Sequence, residues 1–304
     1  MTPPRASVII PAYRAHATLP LVLRALEPHV VGKDHEVVLV DSTGSDNGAA
    51  AHHEYPWVRV LPVAQRAFPG RARNLGASIA RGDLLAFLDA DTIPEPGWLD
   101  ELERALVPGV ELVAGAILNG TPNSPWGTAG YMLEFLEWVP ERGIPLCHAA
   151  GCNLLIRRTA FERSGGFPED MVAGEDTVFS TPFAANGTLV FAPRAQVTHI
   201  NRVRPRAVLS NQRQLGAAWV EVCNRVSLPG RALAVPYLAP VAVLGRLWAV
   251  IKQLRRRPAA ARHLAQNGPL LVAGLVAWGI GVSRPSGAKP PETHADQRGD
   301  HTIS

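Results

Sequence analysis

Leu84-Leu85-Ala86-Phe87-Leu88-Asp89-Ala90-Asp91-Thr92 is the stretch from which the fold can be read. Its apolar run, bounded by Gly82 and Pro94, has the length and punctuation of a buried strand. The run ends in two carboxylates spaced i, i+2, and along a strand that spacing puts both side chains on one face. Left unpaired, they would repel each other and resist desolvation. A divalent cation, Mg2+ or Mn2+, removes the conflict, because such ions are held by one or two carboxylates plus substrate phosphates. The pattern predicts a metal–diphosphate site at the carboxyl end of a sheet strand. Its plain alternative is a polar turn after a strand.

The flanking sequence repeats the arrangement. Ala6–Pro11, Glu36–Asp41 and Trp57–Leu61 read as further buried strands. Helices alternate with them: one from Thr18, taken as its N-cap, to before Pro28, one after the polar turn 42–48, and one over Gly70–Ala80. This alternation predicts a mainly parallel, doubly wound, Rossmann-like α/β sheet. Tyr13, Asp41, Asp89 and Asp91 then all follow strand ends, where open α/β sheets bind ligands. Tyr13 suits stacking on a base, Asp41 suits hydrogen bonds from a base or ribose, and Arg73 suits a phosphate. Packing, helix capping and solvated charge are the alternatives for each. Arg66 and Arg71 read as solvated helix-face residues.

Downstream, Leu112–Ile117 and Ala149–Arg158 read as strands, Gly130–Val139 as an aromatic-bearing helix, and Thr159–Ser164 as a short helix stopped by Gly165-Gly166-Phe167. Gly174-Glu175-Asp176-Thr177 opens another helix with paired acids, which suit either the helix dipole or a general base. Val190–Pro193 and Gln196–His199 read as two short strands, the second ending in a potential metal-binding histidine.

The chain has 304 residues, 47% of them hydrophobic and 18% charged, enough for one large domain with an appendage. The net charge of +4 rests almost entirely on arginine and is no signature of a nucleic-acid partner. Cys147, Cys152 and Cys223 lack C-x-x-C spacing and read as reduced thiols of a cytosolic compartment. Met1–Arg5 shows no apolar signal region.

Taken together, Ser7–Tyr13, Val40-Asp41-Ser42, Ala72–Gly76, Phe87–Asp91, Gly151–Arg158, Gly165–Phe167 and Gly174–Asp176 resemble, in order and spacing, the family 2 glycosyltransferases. The resemblance covers roughly the first two-thirds of the chain. It implies a GT-A fold and an inverting, metal-dependent transfer of sugar from a nucleotide-sugar donor. By motif position, Pro11, Ala12, Tyr13 and Asp41 resemble nucleoside contacts. Arg73 and Asn74, with Asp89 and Ala90, resemble further nucleotide-sugar contacts. Asp91 and His199 resemble the metal ligands, and Asp176, with Glu175 beside it, the catalytic base. Two departures stand out. Ser42 occupies a position often held by a second carboxylate. The Gln-x-x-Arg-Trp motif of processive members is absent, since Gln214 to Trp219 has the wrong spacing and Ala218 stands in the arginine's place; a single transfer is therefore favoured.

The sequence suggests a catalytic domain over 1–215, a helical membrane-associated appendage over 216–282 and a disordered tail over 283–304. The appendage holds two apolar stretches, Ala232–Ile251, interrupted by Pro236, Pro240 and Arg246, and Pro269–Val282. Both are poor spanning segments, since about 20 predominantly apolar residues are usually needed. Interfacial or re-entrant helices on the cytoplasmic face of the membrane are expected, with the intervening arginines at anionic headgroups; a soluble cytoplasmic appendage is the second choice. The acceptor would then be a lipid-linked or envelope glycan, met along the aromatic segment from Trp126 to Trp138. An aspartyl-phosphate-type phosphatase, which also carries a strand-end Asp-x-Asp, and a non-catalytic nucleotide-sugar-binding scaffold are the rival classes.

Overall fold

The computed structural model describes residues 3–44, 53–141, 145–255 and 258–284, with the backbone only at 255 and 258–266. The chain forms two compact units. The first comprises Met1–Leu118, Pro140–Met171 and Glu175–His199; the second comprises Asn119–Val139, Val172–Gly174 and Ile200–Ser304. The division falls at His199 rather than at 215, and it assigns the 119–139 segment to the second unit. The turn after Gly44, Arg256, Arg257 and the expected tail from 285 lie outside the described residues.

Among the described residues, the first unit is built on a mixed sheet of eight strands: β1 (Ala6–Ala12), β2 (His35–Asp41), β3 (Val58–Pro62), β4 (Leu84–Leu88), β5 (Thr92–Pro94), β6 (Leu112–Asn119, whose last residue belongs to the second unit), β7 (Asn153–Arg157) and β8 (Leu189–His199). Their order is β3-β2-β1-β4-β7-β6-β8-β5. The ladders β3/β2, β2/β1 and β1/β4 are parallel, whereas β4/β7, β7/β6 and β8/β5 are antiparallel. β4 is therefore the pivot. On one side it shares its carboxyl end with the ends of β1 and β2; on the other, antiparallel pairing brings the start of β7 to the same end, with Leu88 opposite Asn153. Its five residues are all buried, which is why the run is continuously apolar rather than alternating.

Helices α1 (Leu19–Val30), α2 (Pro69–Ile79) and α3 (Trp98–Ala105) belong to this unit, with α5 (Arg158–Ser164) and α6 (Glu175–Ala185). Phe87, Phe161, Phe167 and Phe179 form an aromatic core, with Phe167 and Phe179 stacked at 4.0 Å. The fully buried Trp98 donates its indole N–H to Asn153 Oδ1 at 2.8 Å, so its burial leaves no polar group unpaired.

Several local expectations shift. Thr18 is not a cap: its backbone is helical and its buried hydroxyl makes no hydrogen bond, because the turn already starts at Ala15. α1 also runs through Pro28 to Val30. The 190–199 region is one strand rather than two. Pro193 and Arg194 are exposed there, where a missing ladder N–H is tolerated.

The second unit is helical, with α4 (Pro125–Glu134), a 3-10 turn at Leu136–Trp138, α7 (Pro205–Arg225), α8 (Ala239–Arg255) and α9 (Pro258–Ser283). α4 starts five residues earlier than Gly130, because Ser124 Oγ accepts the Gly127 N–H at 3.1 Å and Pro125 follows it, an N-cap and N1 pair. Met132, Leu133, Val250, Leu254, Leu271 and Leu275 form its core. α7 and α9 touch backbone to backbone. A Cβ at Gly216 would lie 2.0 Å from Trp278 O, and one at Gly281 would lie 2.0 Å from Arg213 O.

Candidate active site

Strand ends supply the first group of residues. Ala12 and Asp41 are register partners, so Tyr13 and Asp41 emerge side by side. Pro11 fits within β1 because the β4 ladder ends at Ile9. Asp41 is 5% exposed, and its Oδ1 accepts the Thr43 N–H at 2.9 Å. Ser42, which stands where a second acid was noted as missing, donates both its N–H and its hydroxyl to Ala12 O. It acts as a brace between the two strand-end loops. Arg66, read from the sequence as a solvated helix residue, lies before α2 with its guanidinium 4.6 Å from the Tyr13 ring centroid. No sequence signal marks that contact.

The second group is held by one guanidinium. Arg73, on α2, donates to Asp89 Oδ1 at 2.7 Å and to Glu175 Oε1 at 2.5 Å, with its side chain 3% exposed. It also lies over the Phe167 ring and against Gly151, where a Cβ would come within 2.7 Å of its Nη2. Burial disfavours its charge, but Asp89 and Glu175 outweigh that and raise its pKa. Burial, then the charge of Asp176, push Glu175 up to about 7 against the pull of Arg73. Asp176 is half-buried at the start of α6; its Oδ2 accepts the Gly151 N–H at 2.8 Å and its Oδ1 accepts the Thr177 N–H at 2.7 Å. Arg73, for which a phosphate contact is expected from the sequence, here clamps two acids.

Asp91 forms the third group. The chain passes through Asp89-Ala90-Asp91 from β4 to the edge strand β5, which the sequence reading missed. β5 pairs Thr92 with His199, and His199 Nε2 lies 3.7 Å from Asp91 Oδ1. No group of three or more His, Cys, Asp or Glu side chains poised for a metal occurs among the described residues. The pair suits an ion that completes its shell with diphosphate oxygens and water. Around them, Asp89, Glu175 and Asp176 act on the Arg73 guanidinium, and the charge of Asp91 acts on Asp89, a donor set whose acids suit a cation.

Asn74 faces elsewhere. Its amide donates to Phe167 O and Glu169 Oε1 and accepts the Phe167 N–H, each at 2.9 Å. It therefore anchors the 165–169 loop, whereas the resemblance implied a nucleotide contact. Asn153 is a buried structural residue that its sequence context does not single out. It is 1% exposed and fully bonded, accepting from Trp98 and donating to Ala116 O on β6 and Ala195 O on β8. That amide ties the strand bearing His199 to the residue opposite Leu88.

Comparison with known proteins decides the family. The model of glycosyl transferase family 2 matches residues 7–165, which holds the strand-end loops, Arg73 and the Asp-x-Asp. The chain belongs to glycosyl transferase family 2. It is 28% identical over 241 residues to glycosyltransferase AglE of Haloferax volcanii, covering 75% of this chain and 77% of that protein. It is 29% identical over 236 residues to an undecaprenyl-phosphate 4-deoxy-4-formamido-L-arabinose transferase of Pseudomonas paraeruginosa, covering 75% and 67%. Its fold is similar to that of the mannosyltransferase PcManGT from Pyrobaculum calidifontis, solved in complex with GDP-Man and Mn2+. There the TM-score is 0.59, at 20% identity over 94% of this chain and 88% of that one. The family 2 chain is thus a glycosyltransferase of GT-A fold, and the phosphatase and scaffold alternatives fall away.

Proposed function

We propose that this family 2 enzyme transfers one sugar, with inversion, from a nucleotide-sugar donor to an acceptor hydroxyl of a lipid-linked or envelope glycan. The reaction would take place at the cytoplasmic face of a membrane. The observation that carries the reading is the meeting of Asp89, Glu175 and Asp176 at Arg73, with Asp91 and His199 beside them. The undecaprenyl-phosphate transferase relative supports the acceptor class.

In this reading Tyr13, backed by Arg66, stacks on the base, and the second oxygen of Asp41 accepts a hydrogen bond from it. Asp91 and His199 hold a divalent cation, which when bound stabilises charge on the departing diphosphate as a Lewis acid. Arg73 is a positioning residue. By drawing Glu175 inward it leaves the next side chain, Asp176, half-exposed at the start of α6. Asp176 takes the acceptor proton, and its two backbone N–H bonds fix the carboxylate for that task. Glu175, 4% exposed and clamped by Arg73, supports the base without replacing it.

Incubation with a panel of nucleotide sugars, with and without Mn2+, should release nucleoside diphosphate from one donor class only in the presence of metal. D91N and D176N should each lower that turnover by about 100-fold or more with the melting temperature unchanged. Near-normal turnover by D91N, with metal still required, would remove Asp91 from its role.

A further inference from the structure

The exposed positions of α8 and its lead-in turn run Pro236, Tyr237, Pro240, Val241, Leu244, Gly245, Trp248, Ala249 and Lys252. Every one before Lys252 is uncharged, and their spacing is that of a single helix face. Tyr237 is 80% exposed, Leu244 64% and Trp248 59%. On α9 the exposed positions between 267 and 282 are Pro269, Val272, Val276 and Ile280, again one face without a charge. The two helices pack together, with Val243 against Gly279 and Val250 in one cluster with Leu275, so the two stripes belong to one hairpin. Water-soluble proteins seldom leave a large apolar patch uncovered, and these stripes hold most of the exposed large apolar side chains among the described residues.

We propose that this double stripe is a docking face for one leaflet of an anionic membrane, on which the hairpin lies flat. This deepens the membrane part of the proposed function and rests on it. Charge complementarity argues for the occupant. Lys252 closes the α8 stripe, and the sequence places Arg255, Arg256, Arg257 and Arg262 between the two stripes, a composition that fits acidic headgroups. Tyr237 and Trp248, near the two ends of the α8 stripe, are the residue types that settle at the headgroup level.

Geometry argues for lying rather than crossing. Pro236–Leu254 is a segment long and apolar enough to span, with mean hydropathy 1.2. Its inward side, however, is committed to protein. Arg246 donates to Leu133 O at 2.7 Å and lies over the Trp278 ring. α9 in turn is held backbone to backbone against α7, whose exposed positions include Arg206, Arg213, Gln214 and Asn224. A crossing hairpin would carry those groups into hydrocarbon, which is strongly unfavourable.

The test is flotation of the full chain with vesicles of phosphatidylcholine alone and of phosphatidylcholine with phosphatidylglycerol, without donor. Wild type should float with the anionic vesicles and be only partly released by high salt. L244E/W248E and V272E/V276E, both at exposed positions, should each lower partition by about tenfold or more at unchanged melting temperature. Their metal-dependent release of nucleotide from donor should match wild type, so a failed transferase assignment and a failed docking face give different results. Unaltered flotation of the variants would overturn the proposal, as would complete release by salt. So would a wild-type dimer that these substitutions dissociate and that does not bind vesicles, since the stripe would then cover a second copy.

Discussion

Each of the two units carries an arginine in its interior, and the two are stabilised in opposite ways. Arg73, in the sheet unit, sits between two carboxylates, which raise its pKa despite burial. Arg246, in the helical unit, has a carbonyl oxygen and the face of Trp278 as partners, and burial lowers its pKa to about 10. The first is an electrostatic organiser, with acids from β4 and α6 gathered around one charge. The second resembles a helix C-cap, placed on one of the last carbonyls of α4. Breaking the pair of acids should therefore cost far more than removing the cap.

R73M gives the largest expected effect. It strands the buried Glu175, and the partly exposed Asp89, without their partner, at a cost of about 3 kcal/mol in denaturant unfolding. R73M/E175Q should recover part of that stability without recovering turnover. If Arg73 clamps the acids, a folded R73K lowers kcat more than donor affinity. A donor affinity that falls while kcat holds would instead make Arg73 a phosphate ligand, and the contrast with Arg246 would lose its first half.

Glu175 sharpens the contrast through pH. Its carboxyl titrates near 7 in the folded chain and near its ordinary 4.5 when unfolded. Between those values the folded state retains a proton that the unfolded state has lost, so the contribution of Glu175 to stability declines as pH rises. E175Q cannot titrate. Measured in chelator, its stability relative to wild type should climb across that window by at most about 1.4 kcal/mol per pH unit. A flat difference would mean that Arg73 neutralises Glu175 completely.

The smallest effect belongs to R246M. An apolar side chain of similar length keeps the packing, and replacing a buried charge in this way is often close to neutral. A change within about 1 kcal/mol is expected, with nucleotide release unaltered. A loss as large as that of R73M would show that Arg246 organises its unit through Glu134 and Glu137, and the two regions would then work alike.

Much of the first unit was legible in the sequence because its signals are local. A continuous apolar run ending in Asp89 and Asp91 reports a doubly buried strand with two acids following it. Tyr13 and Asp41 could be read in the same way, since each follows its strand directly. Other parts depend on partners distant in sequence. Nothing around Arg66 indicates that it backs Tyr13, and nothing near Asn74 shows that it holds Phe167. Thr92–Pro94 is too short to carry a strand pattern, yet it brings Asp91 to His199.

The sequence by itself determined the α/β class, the family and the residue types of the candidate site, because periodicity and strand-end chemistry are written in consecutive residues. Only the tertiary structure decided what each charge faces. It set two carboxylates against Arg73, and it turned Arg246 from an interruption of an apolar segment into an inward cap that leaves the apolar stripe outermost. The physical reason is that a charge's role is set by the groups within a few ångströms of it, and in a folded chain those groups come from elements a hundred residues apart.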